Sequence, residues 1–155
     1  ADELDVLSAL DELLVDGRSD GAVLLGHLPH GDVACLLAGV AAAADPVLAG
    51  RGIYVGAARK EEFGLAIAEA LGTGLPVVAP ADGGPATYVR HGVTGMLTDT
   101  SSIEELAAAM TAALALLAVA GRDERAQRDV LDHLTIEQMA QRLVALYAPQ
   151  RGEAA

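Results

Sequence analysis

Residues 53–79 decide the fold: Ile53-Tyr54-Val55-Gly56-Ala57-Ala58-Arg59-Lys60-Glu61-Glu62-Phe63-Gly64-Leu65-Ala66-Ile67-Ala68-Glu69-Ala70-Leu71-Gly72-Thr73-Gly74-Leu75-Pro76-Val77-Val78-Ala79. An apolar run, Ile53 to Val55, opens the stretch and a polar loop follows. A helix is expected from Phe63 or Gly64 to just before Gly74, and a second apolar run, Pro76 to Ala79, closes it. Continuous apolar runs, as opposed to alternating ones, suit strands buried on both faces. Strands of that kind alternating with helices predict an α/β domain, a parallel sheet flanked by helices.

The alternation extends both ways. Leu4, Leu7, Leu10 and Leu14 recur at helical spacing, so Asp2 to Val15 reads as an amphipathic helix. Val23-Leu24-Leu25 is a further apolar run between glycines, Asp32 can cap a helix to about Ala44, and a short helix is expected over Gly84 to Arg90. Gly95 to Thr98 is the next strand. Ser101 or Ser102, followed by Glu104 and Glu105, opens a helix reaching Val119. Helices over Asp123 to His133 and Ile136 to Tyr147, with Thr135 as a cap between them, complete a single domain over 1–148, and 149–155 is expected to be a flexible tail. No internal repeat is present. Four strands are few for a doubly wound sheet, so its first strands are expected to be missing.

Composition narrows the partners. The chain has 155 residues, 52% apolar and 21% charged, with 3% aromatics and no Trp, so its core must be built from Leu, Val, Ile and Ala. Ten basic against 22 acidic residues leave a net charge of −12, which opposes nucleic acid and anionic membranes as partners. A lone Cys35, expected to be a small buried residue, allows no internal disulfide and suits a reducing, cytoplasmic setting. The acidic start, Ala1 to Leu10, is unlike a signal peptide. The apolar stretch from Leu106 to Ala120 is short of the ~20 residues that span a bilayer.

Ligands of parallel sheets sit beyond the strand carboxyl ends, so the loop after Val55 is the candidate site. Phe63, Gly64 and Leu65, placed in the first helical turn, offer backbone N–H groups with no intrahelical partner. With the helix dipole they can receive a phosphate or a sugar hydroxyl, and Gly64 lets a ligand approach the backbone. Arg59 and Lys60 add local positive charge; Lys60 can reach a phosphate or pair with a neighbouring Glu. Glu61 and Glu69, eight positions apart and the latter inside the helix, are acceptors suited to sugar hydroxyl pairs. Taken alone they are also what a solvated helix start looks like. His27 and His30 lack the further clustered ligands of a metal site, so no metal or other cofactor is expected.

Glu61 to Glu69 resembles the E-x7-E motif of retaining glycosyltransferases with the two-domain GT-B fold. The run Glu69-Ala70-Leu71-Gly72-Thr73-Gly74-Leu75-Pro76-Val77-Val78-Ala79, together with Gly83-Gly84-Pro85 and His91-Gly92-Val93-Thr94-Gly95-Met96-Leu97, resembles later segments of that family. Gly26 to Asp99 looks most similar to its sucrose synthase and sucrose-phosphate synthase branch, an impression carried by His30-Gly31-Asp32-Val33, Gly52-Ile53-Tyr54-Val55 and Gly83-Gly84-Pro85. The resemblance implies a Rossmann-like sheet, the C-terminal half of a GT-B fold, binding a nucleoside-diphosphate sugar, UDP- or GDP-hexose, as substrate. By the same resemblance Glu69 would hold the ribose hydroxyls and Glu61, the catalytic candidate, would face the transferred hexose. The amides of Phe63, Gly64 and Leu65 would contact hexose and diphosphate, and Gly26-His27-Leu28 would lie near the base.

The chain also departs from that pattern. The Arg and Lys that neutralise the diphosphate in family members would lie before Asp2, and the N-terminal acceptor-binding domain is missing from this chain. Glu62 stands where a small residue is usual and Thr87 where an acid is common. The expectation is a C-terminal fragment or a reduced relative, inactive as an isolated chain. Two alternatives stay open: a non-catalytic nucleotide- or sugar-binding module, and a homodimer formed through an apolar sheet edge or face.

Overall fold

The computed structural model describes Ser8, residues 25–43 and residues 51–147. The chain divides into two units, Ala1–His30 and Gly31–Ala155. Of the expected helix Asp2 to Val15 only Ser8 is described, and it is helical. Val23, Leu24 and the tail 149–155 lie outside the described residues, and Leu25 is exposed coil.

The described elements run in order α1 (His30–Ala41), β1 (Tyr54–Val55), α2 (Leu65–Gly72), β2 (Val77–Pro80), a 3-10 turn (Gly84–Thr87), β3 (Gly95–Thr98), α3 (Ile103–Leu116), α4 (Arg122–His133) and α5 (Ile136–Tyr147). The strands form a parallel three-stranded sheet in the order β1-β2-β3. Val77 pairs with Tyr54 on one side and Gly95 on the other, so β2 is the central strand.

Both sheet faces are covered, as the unbroken apolar runs require. Val77 and Ala79 pack with Tyr54 and Leu97 under Ile67, Ala70 and Leu71 of α2 and Ala126 of α4. Val78, one residue out of phase, faces the other way with Ile53, Val55 and Met96 onto Ala109 and Ala113 of α3. Small helix residues bring α3 close to the sheet, which is how an aromatic-poor chain closes its core. The buried Arg122 donates from Nη2 to the Gly74 carbonyl at 2.7 Å, tying the start of α4 to the turn before β2, and burial lowers its pKa.

Several boundaries differ from the sequence reading, each for a local reason. α1 begins at His30, directly after Pro29, whose fixed φ is compatible with helix entry, and Asp32 lies inside the first turn. The helix ends before Ala43, which has φ 56°. The expected helix over Gly84 to Arg90 is only a 3-10 turn, left at Tyr88 with φ −133°. α3 stops at Leu116, and turns lead to Gly121, in the left-handed conformation at the start of α4. Cys35 is exposed, because α1 buries none of its residues.

Ser102, not Ser101, caps α3: its side chain accepts from the Glu105 amide at 3.2 Å, while the Ser101 hydroxyl donates to Asp99. Ser102→Ala is expected to cost about 1 kcal/mol in urea unfolding, the usual worth of such a cap. Ser101→Ala, which leaves that bond intact, serves as the reference. No described helix is long and apolar enough to cross a membrane.

Candidate functional site

The loop leaving β1 is tied to the segments that follow the neighbouring strands. Gly56 donates to the Val78 carbonyl at 2.8 Å, and the Thr100 hydroxyl donates to the Ala58 carbonyl at 2.7 Å. Further on, the Gly84 amide donates to the Glu61 carbonyl at 2.9 Å, and Glu61 and Gly83 form an isolated parallel bridge. Segments following all three strands therefore meet at the carboxyl end of the sheet. The two glycines make this approach possible. A Cβ on Gly83 would lie 2.0 Å from the Glu61 carbonyl oxygen, and one on Gly84 would lie 2.3 Å from that of Glu62.

Tyr88 fastens the next residues. Its hydroxyl donates to the carbonyls of Phe63 at 2.6 Å and Gly64 at 3.0 Å, and its ring packs against Phe63 with centroids 5.6 Å apart. Gly64 sits at φ 80°, ψ 61°, so it cannot be the first helical residue and instead precedes α2. Only Leu65, of the three residues assigned to the first turn, is helical; Phe63 lies outside, and both side chains are largely exposed. The first helical bond runs from Ala68 to the Gly64 carbonyl at 3.0 Å. The amides of residues 63–67 donate no hydrogen bond among the described residues. The open donors thus extend further into the helix than the sequence suggests.

The two carboxylates act on a common neighbour. Glu61 is half-buried beside the Gly83 turn, and Glu69 is exposed about one turn into α2. The Tyr54 hydroxyl has its pKa raised first by burial, then by Glu61 and Glu69. Tyr88 is pushed up to about 12, again mainly by burial, then by Glu61 and Tyr54. Both phenols therefore stay protonated at neutral pH. Tyr54 and Tyr88 were invisible as site residues in the sequence: one reads as strand and the other as part of a short helix. No local pattern marks either.

Of the two basic residues in the loop, Lys60 pairs with Glu62 at 2.9 Å, and both are exposed. The hydrogen bond and charge of Glu62 raise the Lys60 pKa. Arg59 lines a polar cavity of about 480 Å³ with Pro80, Asp82, Asp99 and Ser101. Hydrogen bonds from the Ser101 hydroxyl and amide hold the Asp99 carboxyl below its ordinary pKa, with a smaller contribution from Arg59. Thr87 donates its hydroxyl to the Gly84 carbonyl at 2.7 Å, bracing the turn.

Gly26, His27 and Leu28 belong to the first unit, where Gly26 has φ 64° and His27 is exposed. Among the described residues no three His, Cys, Asp or Glu side chains cluster as metal ligands.

A parallel sheet flanked by helices, with Glu61 in the loop after β1 and Glu69 on α2, places the chain in the α/β class. Residues 24–128, more than half of the chain, match the model of the glycosyl transferases group 1 family, and the chain belongs to that family. The fold is consistent with the Rossmann-like C-terminal domain of its GT-B members. The chain is 43% identical over 58 residues to a sucrose synthase of Acidithiobacillus caldus, covering 37% of this chain and 7% of the relative. It is 52% identical over 50 residues to a D-inositol 3-phosphate glycosyltransferase of Nocardioides sp., covering 32% and 11%. A probable sucrose-phosphate synthase of Oryza sativa is 40% identical over 85 residues, covering 54% and 8%. The chain thus spans only a small part of the length of these curated relatives.

Proposed function

We propose that this chain is the donor-binding part of a retaining glycosyltransferase that takes a hexose from a UDP- or GDP-sugar. The carrying observation is the placement of Glu61, its carbonyl held by the Gly84 amide at the carboxyl end of the sheet, and of Glu69 on α2, beside open amides at the start of that helix. In this reading Glu69 accepts from the ribose hydroxyls and Glu61 faces the hexose. The amides of Phe63, Gly64 and Leu65 receive the hexose and the diphosphate.

The chemistry asked of the protein is electrostatic. Charge develops on the diphosphate as the glycosidic bond breaks, and fixed N–H donors together with the α2 dipole stabilise it without reorganising. Arg59, Lys60, Glu61 and Glu62 sum to no net charge, so the backbone supplies the preorganised positive potential. The nucleotide sugar is the substrate, with no separate cofactor, and acceptor recognition falls to a separate acceptor-binding domain. A cytoplasmic setting belongs to this reading, supported by the single cysteine, which can form no internal disulfide.

A second reading, a module that binds nucleotide without transfer, draws on the Lys60–Glu62 pair, which engages the loop's own ammonium. Turnover with a supplied acceptor domain separates the two. Binding itself is tested by titrating the 15N-labelled chain with UDP and with GDP. Amide shifts concentrated in residues 61–69 are expected for at least one nucleotide. Silence throughout that segment overturns both readings.

A further inference from the structure

The open amides beside α2 have a direction, which one side chain fixes together with the first hydrogen bond of the helix. In a trans peptide the carbonyl and the N–H point opposite ways. The Phe63 carbonyl shares its peptide plane with the Gly64 amide, and the Gly64 carbonyl shares its plane with the Leu65 amide. Both carbonyls share the single proton of the Tyr88 hydroxyl, Phe63 at 2.6 Å and Gly64 at 3.0 Å, and the Gly64 oxygen accepts from the Ala68 amide as well. Anchoring the two oxygens on Tyr88 therefore turns the two N–H groups away from it.

We propose that Tyr88 is the positioning residue of the donor site, its hydroxyl holding the Phe63 and Gly64 carbonyls so that the Gly64 and Leu65 amides face the ligand. This rests on the donor-binding reading above, and it goes beyond that reading by assigning a role to a side chain that touches no ligand.

Three features make a phenol the right group. Its ring reaches the loop across 24 or 25 residues of chain and packs at a 45° tilt against Phe63, so the hydroxyl is delivered on a rigid arm. Both partners are carbonyls, which can only accept, so the hydroxyl works only while protonated. The charged and titratable groups acting on it are Glu61 and Tyr54, and with burial they push its ionisation up to about 12. The proton therefore stays in place across the working pH range. Gly64 fits the same picture, since a Cβ there would lie 2.9 Å from the Tyr88 hydroxyl oxygen.

The test is Tyr88→Phe in the full chain, read in the absence and presence of UDP and GDP. Without nucleotide, the carbonyl 13C resonances of Phe63 and Gly64 and the amide resonances of Gly64 and Leu65 are expected to move. The dissociation constant of whichever nucleotide the wild type binds is expected to rise about tenfold, the scale of one lost hydrogen bond. Unmoved resonances overturn the proposal, as do moved resonances with unchanged affinity. A wild type that binds neither nucleotide, with resonances that still move in the variant, sinks the donor reading but upholds the hold of the hydroxyl on the loop. Should the variant not fold, the wild type is titrated upward in pH. The two carbonyl resonances are then expected to follow a single ionisation near 12, and flat profiles overturn the proposal.

Discussion

Gly83→Ala is expected to lower the unfolding free energy by about 3–5 kcal/mol, measured by urea denaturation. Two independent costs converge on this residue. Its backbone sits at φ 106°, ψ −158°, a region open essentially to glycine alone. A Cβ there would also stand 2.0 Å from the Glu61 carbonyl oxygen, and that oxygen is held by the Gly84 amide at 2.9 Å. Relief requires the loop to lift off the turn, breaking that bond and disturbing the site. Gly92→Ala is the control: its φ is also positive, at 74°, but nothing lies within 4 Å of the added carbon. Only the conformational cost of about 1–2 kcal/mol applies there. A Gly83 variant no worse than the Gly92 variant would show that the two loops do not meet as described.

The same contact shows where sequence reading ends. Val77, Val78 and Ala79 announce a central strand because all three are apolar, and only burial on both faces uses such a run. The caps of α3 and α5 are equally legible, since a Ser or Thr bonds an amide three residues on. Glu61 and Glu69 stand out by spacing. Gly83-Gly84, by contrast, reads only as a turn, because the reason for the glycines is a carbonyl more than twenty residues upstream. Gly64 could not be told from an ordinary helix residue: its positive φ follows from how the loop is packed, not from its neighbours in sequence. Tyr88 is the extreme case. A residue that acts by reaching distant backbone leaves no periodic trace.

Glu69→Ala is expected to weaken binding of UDP or GDP about 100-fold while leaving the fold intact. Glu69 is exposed on α2 beside a buried row of Ile67, Ala68, Ala70 and Leu71, so truncating it touches no core packing. Alanine is also the better helix former, so the fold is expected to hold, which urea unfolding of the variant checks. In the proposed reading the binding loss is larger, because the carboxylate accepts from two adjacent ribose hydroxyls. Hydrogen bonds to a charged group are worth about 1.5–3 kcal/mol each, and two at the lower figure give about 3 kcal/mol, or two powers of ten. Glu69→Gln, with a single acceptor oxygen, should lose about tenfold. Glu61→Gln supplies the contrast. UDP and GDP carry no hexose, so a residue that faces the sugar should change their affinity less than about threefold. Calorimetric titration of the four proteins gives the comparison directly. Equal affinity for wild type and Glu69→Ala would remove Glu69 from the ribose, and an equal loss in Glu61→Gln would mean that the two carboxylates share one subsite instead of dividing the donor between them.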